Sequence, residues 1–224
     1  NFISALSPAD GGVKDNPYFT LLQPSLQSHC EWIMNAIFKK HKKNNPVIFY
    51  RTAPAPDANA YNYLQADEDA AMKKVLCNGP LKEQQLRPLF DSNRVNVIVM
   101  SILDYSYAES ILLQLNKWFP AYQFEVYGMP TWKAMPSLKK PAAYPNIAVY
   151  ITAPFHFDQT TPWGQAIANN YKKEAGSSKP NEMVYRGYEA MCWYAYLLTK
   201  YGTVFNDKLD DNGSAPLTRY EVKP

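Results

Sequence analysis

The sequence predicts an α/β protein: a parallel, Rossmann-like sheet layered between helices. Three observations carry this. Val47-Ile48-Phe49-Tyr50 and Asn96-Val97-Ile98-Val99-Met100-Ser101 are almost continuous apolar runs, as expected of strands buried on both faces. Between such runs, apolar residues recur at helical spacing, as in Cys30, Ile33, Met34, Ile37 and Phe38, and again in Tyr107, Ile111, Leu112 and Leu115. Strand and helix also alternate along the chain, which with right-handed crossovers yields a parallel sheet covered on both faces.

The elements follow in order. Asn1 to Asp15 reads as a loop, with Ser7-Pro8 and Gly11-Gly12, and leads into a strand at Tyr18 to Leu22. A helix follows Pro24-Ser25 and ends near Lys43-Asn44-Asn45-Pro46, before the strand Val47–Tyr50. The loop Arg51 to Asp57 precedes a helix expected from Ala58 to Leu76, which Gly79-Pro80 stops. A short helix at Glu83 to Phe90 leads to the strand Asn96–Ser101, then a helix from Asp104 to Trp118 and a strand from Gln123 to Tyr127. Asn146 to Thr152 is a further strand, and Ala153 to Asp158 is a Pro-interrupted aromatic connection. Helices at Pro162 to Ala175 and Asn181 to Tyr201 come next. The second carries Tyr185, Tyr188, Met191, Cys192 and Leu198 along one side, read as core rather than a cofactor box. After the turn Asp210 to Gly213, Leu217 to Val222 alternates as an edge strand.

Composition narrows the function. The 224 residues, 46% hydrophobic, suffice for one large domain or two small ones. A net charge of +3, with one cluster at Lys39 to Lys43 that suits a helix C-terminus, does not indicate nucleic-acid binding. The three cysteines, Cys30, Cys77 and Cys192, form no metal-ligand spacing, and their odd count argues against a full disulfide framework. No apolar run approaches the roughly 20 residues of a membrane span, and no signal peptide is visible. The absence of an initiator Met fits a trimmed piece of something longer.

Catalytic signatures are absent: no nucleophile elbow, phosphate loop, dinucleotide fingerprint or H-E-x-x-H zinc motif occurs. His29, at a helix start, and His41, among lysines, read as exposed; His156, between Phe155 and Phe157, reads as a structural hinge-loop residue, with a pairing to Ser101 the weaker option. Asp67, Glu68 and Asp69 read as a solvated run. No catalytic residue, metal or cofactor is expected. Asp57 and Asp104 each follow a parallel strand, at the edge where small molecules bind. For Asp57, recognition of an ammonium group and helix capping stand equal; for Asp104, the cap is favoured.

The order of several segments resembles the type I periplasmic binding-protein fold, the group that includes branched-chain amino-acid binding proteins of ABC transporters. "ISALSPADGGVKDNPYFTLLQPS" is similar to the family's segment in which a strand, a Ser-containing loop and an Asn-Pro-Tyr-Phe stretch precede the crossing to the second lobe. "NNPVIFYRTAPAPDANAY" resembles the following strand and loop, which carry an Asp and a Tyr near the cleft. "LRPLFDSNRVNVIVMSILDYSYAESILLQL", "FEVYGMPTW", "NIAVYITAPFHFD" and "PNEMVYRGYEAMCWYAYLL" take the places of later strands and helices.

The resemblance implies that residues 1–24 and 152–202 are a remnant of the first lobe, residues 25–151 and 203–224 form the second, and most of the usual first lobe is not included. It further implies a noncatalytic, periplasmic or envelope-associated solute-binding protein. The solute is an amino acid or similar small molecule lodged between two lobes, and the partners are the membrane components of an ABC transporter. The ligand residues it points to are Asp57, to pair a cationic group; Tyr61 and Trp132, to cover an apolar portion; Ser101, to donate a hydrogen bond; and Tyr105. The clamp for an amino acid's two charges is incomplete in this set. The same aromatic residues would serve a lobe or protein contact, so an envelope scaffold or regulator without a small ligand is the alternative.

Overall fold

A computed structural model of the chain describes residues 2–5, 13, 15–41, 46–65, 72–140, 143–155, 157–176 and 179–213. The expectations for His156, for the Asp67 to Asp69 run, for Lys42 and Lys43 and for the strand at 217–222 fall outside these residues.

The chain forms two compact units: Leu26–Ala153, and Asn1–Ser25 together with Pro154–Pro224. In Leu26–Ala153, five strands make one parallel sheet. They are β3 (Val47–Tyr50), β4 (Lys73–Leu76), β5 (Val95–Met100), β6 (Gln123–Gly128) and β7 (Ile147–Ile151), in the order β4-β3-β5-β6-β7. The helices of this unit are α1 (Leu26–Lys40), α2 (Ala55–Leu64), the short α3 (Glu83–Leu86) and α4 (Tyr105–Trp118). From β3 the chain runs outward to β4, returns across β3 to β5, and then proceeds the other way. Right-handed crossovers therefore put α2 and α4 on opposite faces, and the direction reverses between β3 and β5.

Burial follows the apolar runs. Ile48, Phe49, Ile98, Val99, Met100 and Val126 are fully or almost fully buried, and α1 and α4 contribute Ile33, Ile37, Ile111, Leu112 and Leu115 to the same core. Asp104 caps α4, accepting from the backbone N–H groups of Ser106 (3.0 Å) and Tyr107 (3.2 Å), as its spacing suggests.

The other unit contains a parallel pair, β1 (Phe2–Ser4) and β2 (Phe19–Leu21), with α5 (Pro162–Ala175) and α6 (Glu182–Tyr201). Leu22, Ala190, Trp193, Leu197 and Phe205 form its core. Arg186 is buried beside them, donating to the carbonyls of Ala5 and Leu22.

Several expectations need correction. β4 lies where the helix was to continue to Leu76. With Lys73, Lys74 and Leu76 exposed, it is a short charged edge strand that shows no apolar run. β1 lies within the supposed N-terminal loop. Residues 203–213 were expected with the second lobe, but they follow α6 closely: Phe205 stacks edge-on against Tyr194, and Asp211 pairs with Lys200. On α6, Tyr185 is buried while Tyr188, Met191 and Leu198 are exposed; the buried face runs instead through Arg186, Glu189, Trp193 and Leu197, at helical spacing. His29 is buried, with Nδ1 2.8 Å from Thr152 Oγ1, and His41 is only slightly exposed, with Nε2 2.9 Å from Glu125.

Candidate functional site

The reversal between β3 and β5 opens the carboxyl edge of the sheet, because the connections leaving those two strands diverge to opposite faces. Arg51 follows β3 directly, and Asp57 lies in the first turn of α2. From β5 the chain passes through Ser101-Ile102-Leu103 to the Asp104 cap.

Asp57 is 1% exposed. Its Oδ1 accepts from the N–H of Leu103 at 3.0 Å, and its Oδ2 faces Arg51 Nη1 at 3.4 Å without receiving a hydrogen bond from any described residue. Burial pushes its carboxyl above the ordinary aspartate range, while the Leu103 bond and the Arg51 charge pull it back. Ser101 donates its backbone N–H to Phe49 at 2.9 Å, and its hydroxyl is buried with no hydrogen-bond partner among the described residues. The edge thus holds two buried oxygens with unused hydrogen-bonding capacity, one of them on a carboxylate.

From β6 the chain turns through a 3₁₀ segment, Pro130–Ala134. Thr131 donates its hydroxyl to the Leu103 carbonyl at 2.6 Å, and the Trp132 indole N–H donates to the Ile102 carbonyl at 2.7 Å. The Ser101–Leu103 loop is therefore gripped by Asp57 from the β3 connection and by Thr131 and Trp132 from the β6 connection. Trp132, expected to face a cleft, is fully buried within Leu26–Ala153, because the turn folds its ring back over Gly128.

The other expected residues sit apart from this grip. Tyr61 is stacked on Tyr50, with ring centroids 3.9 Å apart. Tyr105 opens α4 next to the loop and is 37% exposed. The structure thus joins Asp57, Ser101 and Trp132 through one loop and leaves Tyr61 in a separate aromatic pair. Sequence reasoning missed Arg51 and Thr131. The first had a signal, a lone arginine directly after a doubly buried strand; the second stands beside Trp132 on the loop beyond the strand and was given no role of its own.

No family model and no curated protein matches the chain by sequence. Solved structures do match it in fold. An ABC transporter substrate-binding protein from Desulfitobacterium hafniense superposes with a TM-score of 0.57 at 14% identity, over 92% of this chain and 61% of its own. A structure of an ABC transporter substrate-binding protein from the same organism, in complex with Leu, gives 0.54 at 15%, over 88% and 57%. A putative branched-chain amino acid ABC transporter protein from Silicibacter pomeroyi gives 0.57 at 14%, over 87% and 53%. The chain spans between about half and three fifths of the length of these proteins and shares their α/β fold.

Proposed function

We propose that the chain is part of a noncatalytic, envelope-associated solute-binding protein that takes an amino acid or similar small molecule at the carboxyl edge of the five-stranded sheet and serves ABC-type uptake or sensing. The observation that carries this reading is the pair of buried oxygens, Asp57 Oδ2 and Ser101 Oγ, which lack hydrogen bonds from the described residues at the reversal of a parallel sheet. Such groups are costly to bury unused and suit a ligand's donor, above all an ammonium. An ammonium reaching Asp57 would meet it in a dry setting, where a charge-assisted bond is strong. Tyr105, exposed at the start of α4, is the expected aromatic residue that follows the Ser101–Leu103 loop in the chain. Likeness in fold to substrate-binding proteins, one of them holding Leu, supports the same reading.

Calorimetry and thermal melts with a panel of amino acids test it. A bound solute at a hundredfold excess over its Kd stabilises the folded state by about 2.7 kcal/mol, and Asp57→Asn should abolish that gain. Absence of any shift across the panel, or equal binding by Asp57→Asn, would overturn the assignment.

A further inference from the structure

Apart from the Asp57–Ser101 edge, the unit carries a crevice of about 340 Å³ between α4 and the loop that leaves β4. Its lining includes the polar Arg51 and Asn78 and the apolar Pro80, Leu81 and Ile111. The volume lies at the small end of ligand pockets, enough for a compact organic molecule.

Arg51 is the decisive group. Its side chain is 23% exposed, and its guanidinium lies 4.8 Å from the centre of the Tyr107 ring, with one nitrogen facing Asp57 at 3.4 Å. Tyr107 is itself pinned, donating its hydroxyl to the carbonyl of Cys77 at 2.7 Å. The guanidinium is thus oriented by a ring and a charge yet makes no hydrogen bond with any described residue. A planar fork of five donors, fixed in place and largely removed from water, matches an oxyanion. The Asn78 side chain, also lining the crevice, is held by Thr52, to which it donates at 2.6 Å.

We propose that this crevice binds a small amphiphilic acid, its carboxylate or phosphate on Arg51 and its apolar body against Pro80, Leu81 and Ile111. The site adjoins the Asp57–Ser101 edge through Arg51, which also faces Asp57, but its other lining residues lie outside that edge, and its occupancy does not require a solute there.

Gly79 allows a clean test, because it lines the crevice and a Cβ added there meets nothing within 4 Å. Amide resonances of the intact chain are followed by NMR during titration with benzoate, phenyl phosphate, inorganic phosphate and, as an uncharged control, benzyl alcohol. Benzoate or phenyl phosphate should shift the Gly79 and Ser110 amides saturably below about 10 mM, and the preferred head group shows which acid the site takes. Arg51→Gln should weaken binding about tenfold or more. Gly79→Phe should abolish it while leaving the melting temperature and any amino-acid binding at Asp57 unchanged. The proposal fails if no acid produces a saturable shift, if benzyl alcohol or inorganic phosphate binds as well as the amphiphilic acids, or if Gly79→Phe binds them normally.

Discussion

Gly128→Ala is the substitution that most directly tests how the carboxyl edge is built. A Cβ at Gly128 would lie 2.1 Å from Trp132 Cε3 and 2.3 Å from Cζ3, far inside contact distance. The indole cannot swing aside cheaply, since it is fully buried and its N–H is committed to the Ile102 carbonyl. Overpacking of this kind costs about 1–3 kcal/mol, and loss of the indole hydrogen bond adds about 1 kcal/mol. The expected total, about 2–4 kcal/mol, is a large share of the 5–15 kcal/mol typical of a folded domain. The assay is urea unfolding of the wild type, Gly128→Ala, Trp132→Leu and the double variant. With the ring removed, the added methyl has room, so the double variant should be more stable than the sum of the single losses by about 1–3 kcal/mol. Additivity within about 0.5 kcal/mol would refute the reasoning. So would a Gly128→Ala variant as stable as the wild type, the result expected if Trp132 pointed outward to a solute.

Glu125 accepts from Lys40 at 2.7 Å and from His41 at 2.9 Å, beside Tyr127 and Tyr150. Burial alone would raise its carboxyl, but the bonds from Lys40 and His41 outweigh this and hold it below the usual glutamate range. Its stabilisation is therefore complete above the unfolded value and lost as pH falls through the lower folded one: the melting-temperature gap between wild type and Glu125→Gln should be full at neutral pH and close from about pH 5 downward. Asp57 has the opposite sign. Its raised folded value makes the ionised form a liability at neutral pH, so Asp57→Asn should melt higher than the wild type at pH 7 and lose that advantage below about pH 4; a lower melting temperature at pH 7 would mean that the Arg51 pairing outweighs burial. Arg186→Leu should remove protection from amide exchange in α6 and β2, because breaking a buried charged network costs about 3–5 kcal/mol; retained protection there would refute that role.

Legibility in the sequence tracked how many constraints each element satisfies locally. β5 and α4 could be read because one is buried along nearly its whole length and the other combines helical spacing with an aspartate cap. β4 could not, since an edge strand that exposes two lysines needs no apolar pattern and borrows its conformation from pairing with β3. β1 is three residues long and exists only by pairing with β2. At the candidate site, the position of Asp57 after a buried strand was readable, but its partner, the N–H of Leu103, lies 46 residues away and leaves no local trace. The burial of Trp132 likewise depends on the side chain that Gly128 lacks. The group that approaches Gly128 closely is the neighbouring tryptophan rather than a solute.

That geometry complicates the simplest test of ligand binding. On the proposed reading Asp57 offers Oδ2 to a ligand, and it also holds the Leu103 N–H, so Asp57→Asn affects the carboxylate charge and disturbs the loop that carries Ser101. Thr131→Val separates the two effects. Thr131 grips the same residue from the opposite side, through the Leu103 carbonyl, and contributes no charge. If Asp57 meets the solute's ammonium, calorimetry should show Thr131→Val weakening binding only severalfold, in step with the roughly 1 kcal/mol of one lost hydrogen bond, while Asp57→Asn removes binding. Equal losses from the two substitutions would instead make Asp57 a positioning residue for the Ser101–Leu103 loop, and the ligand's charge would have to be met elsewhere.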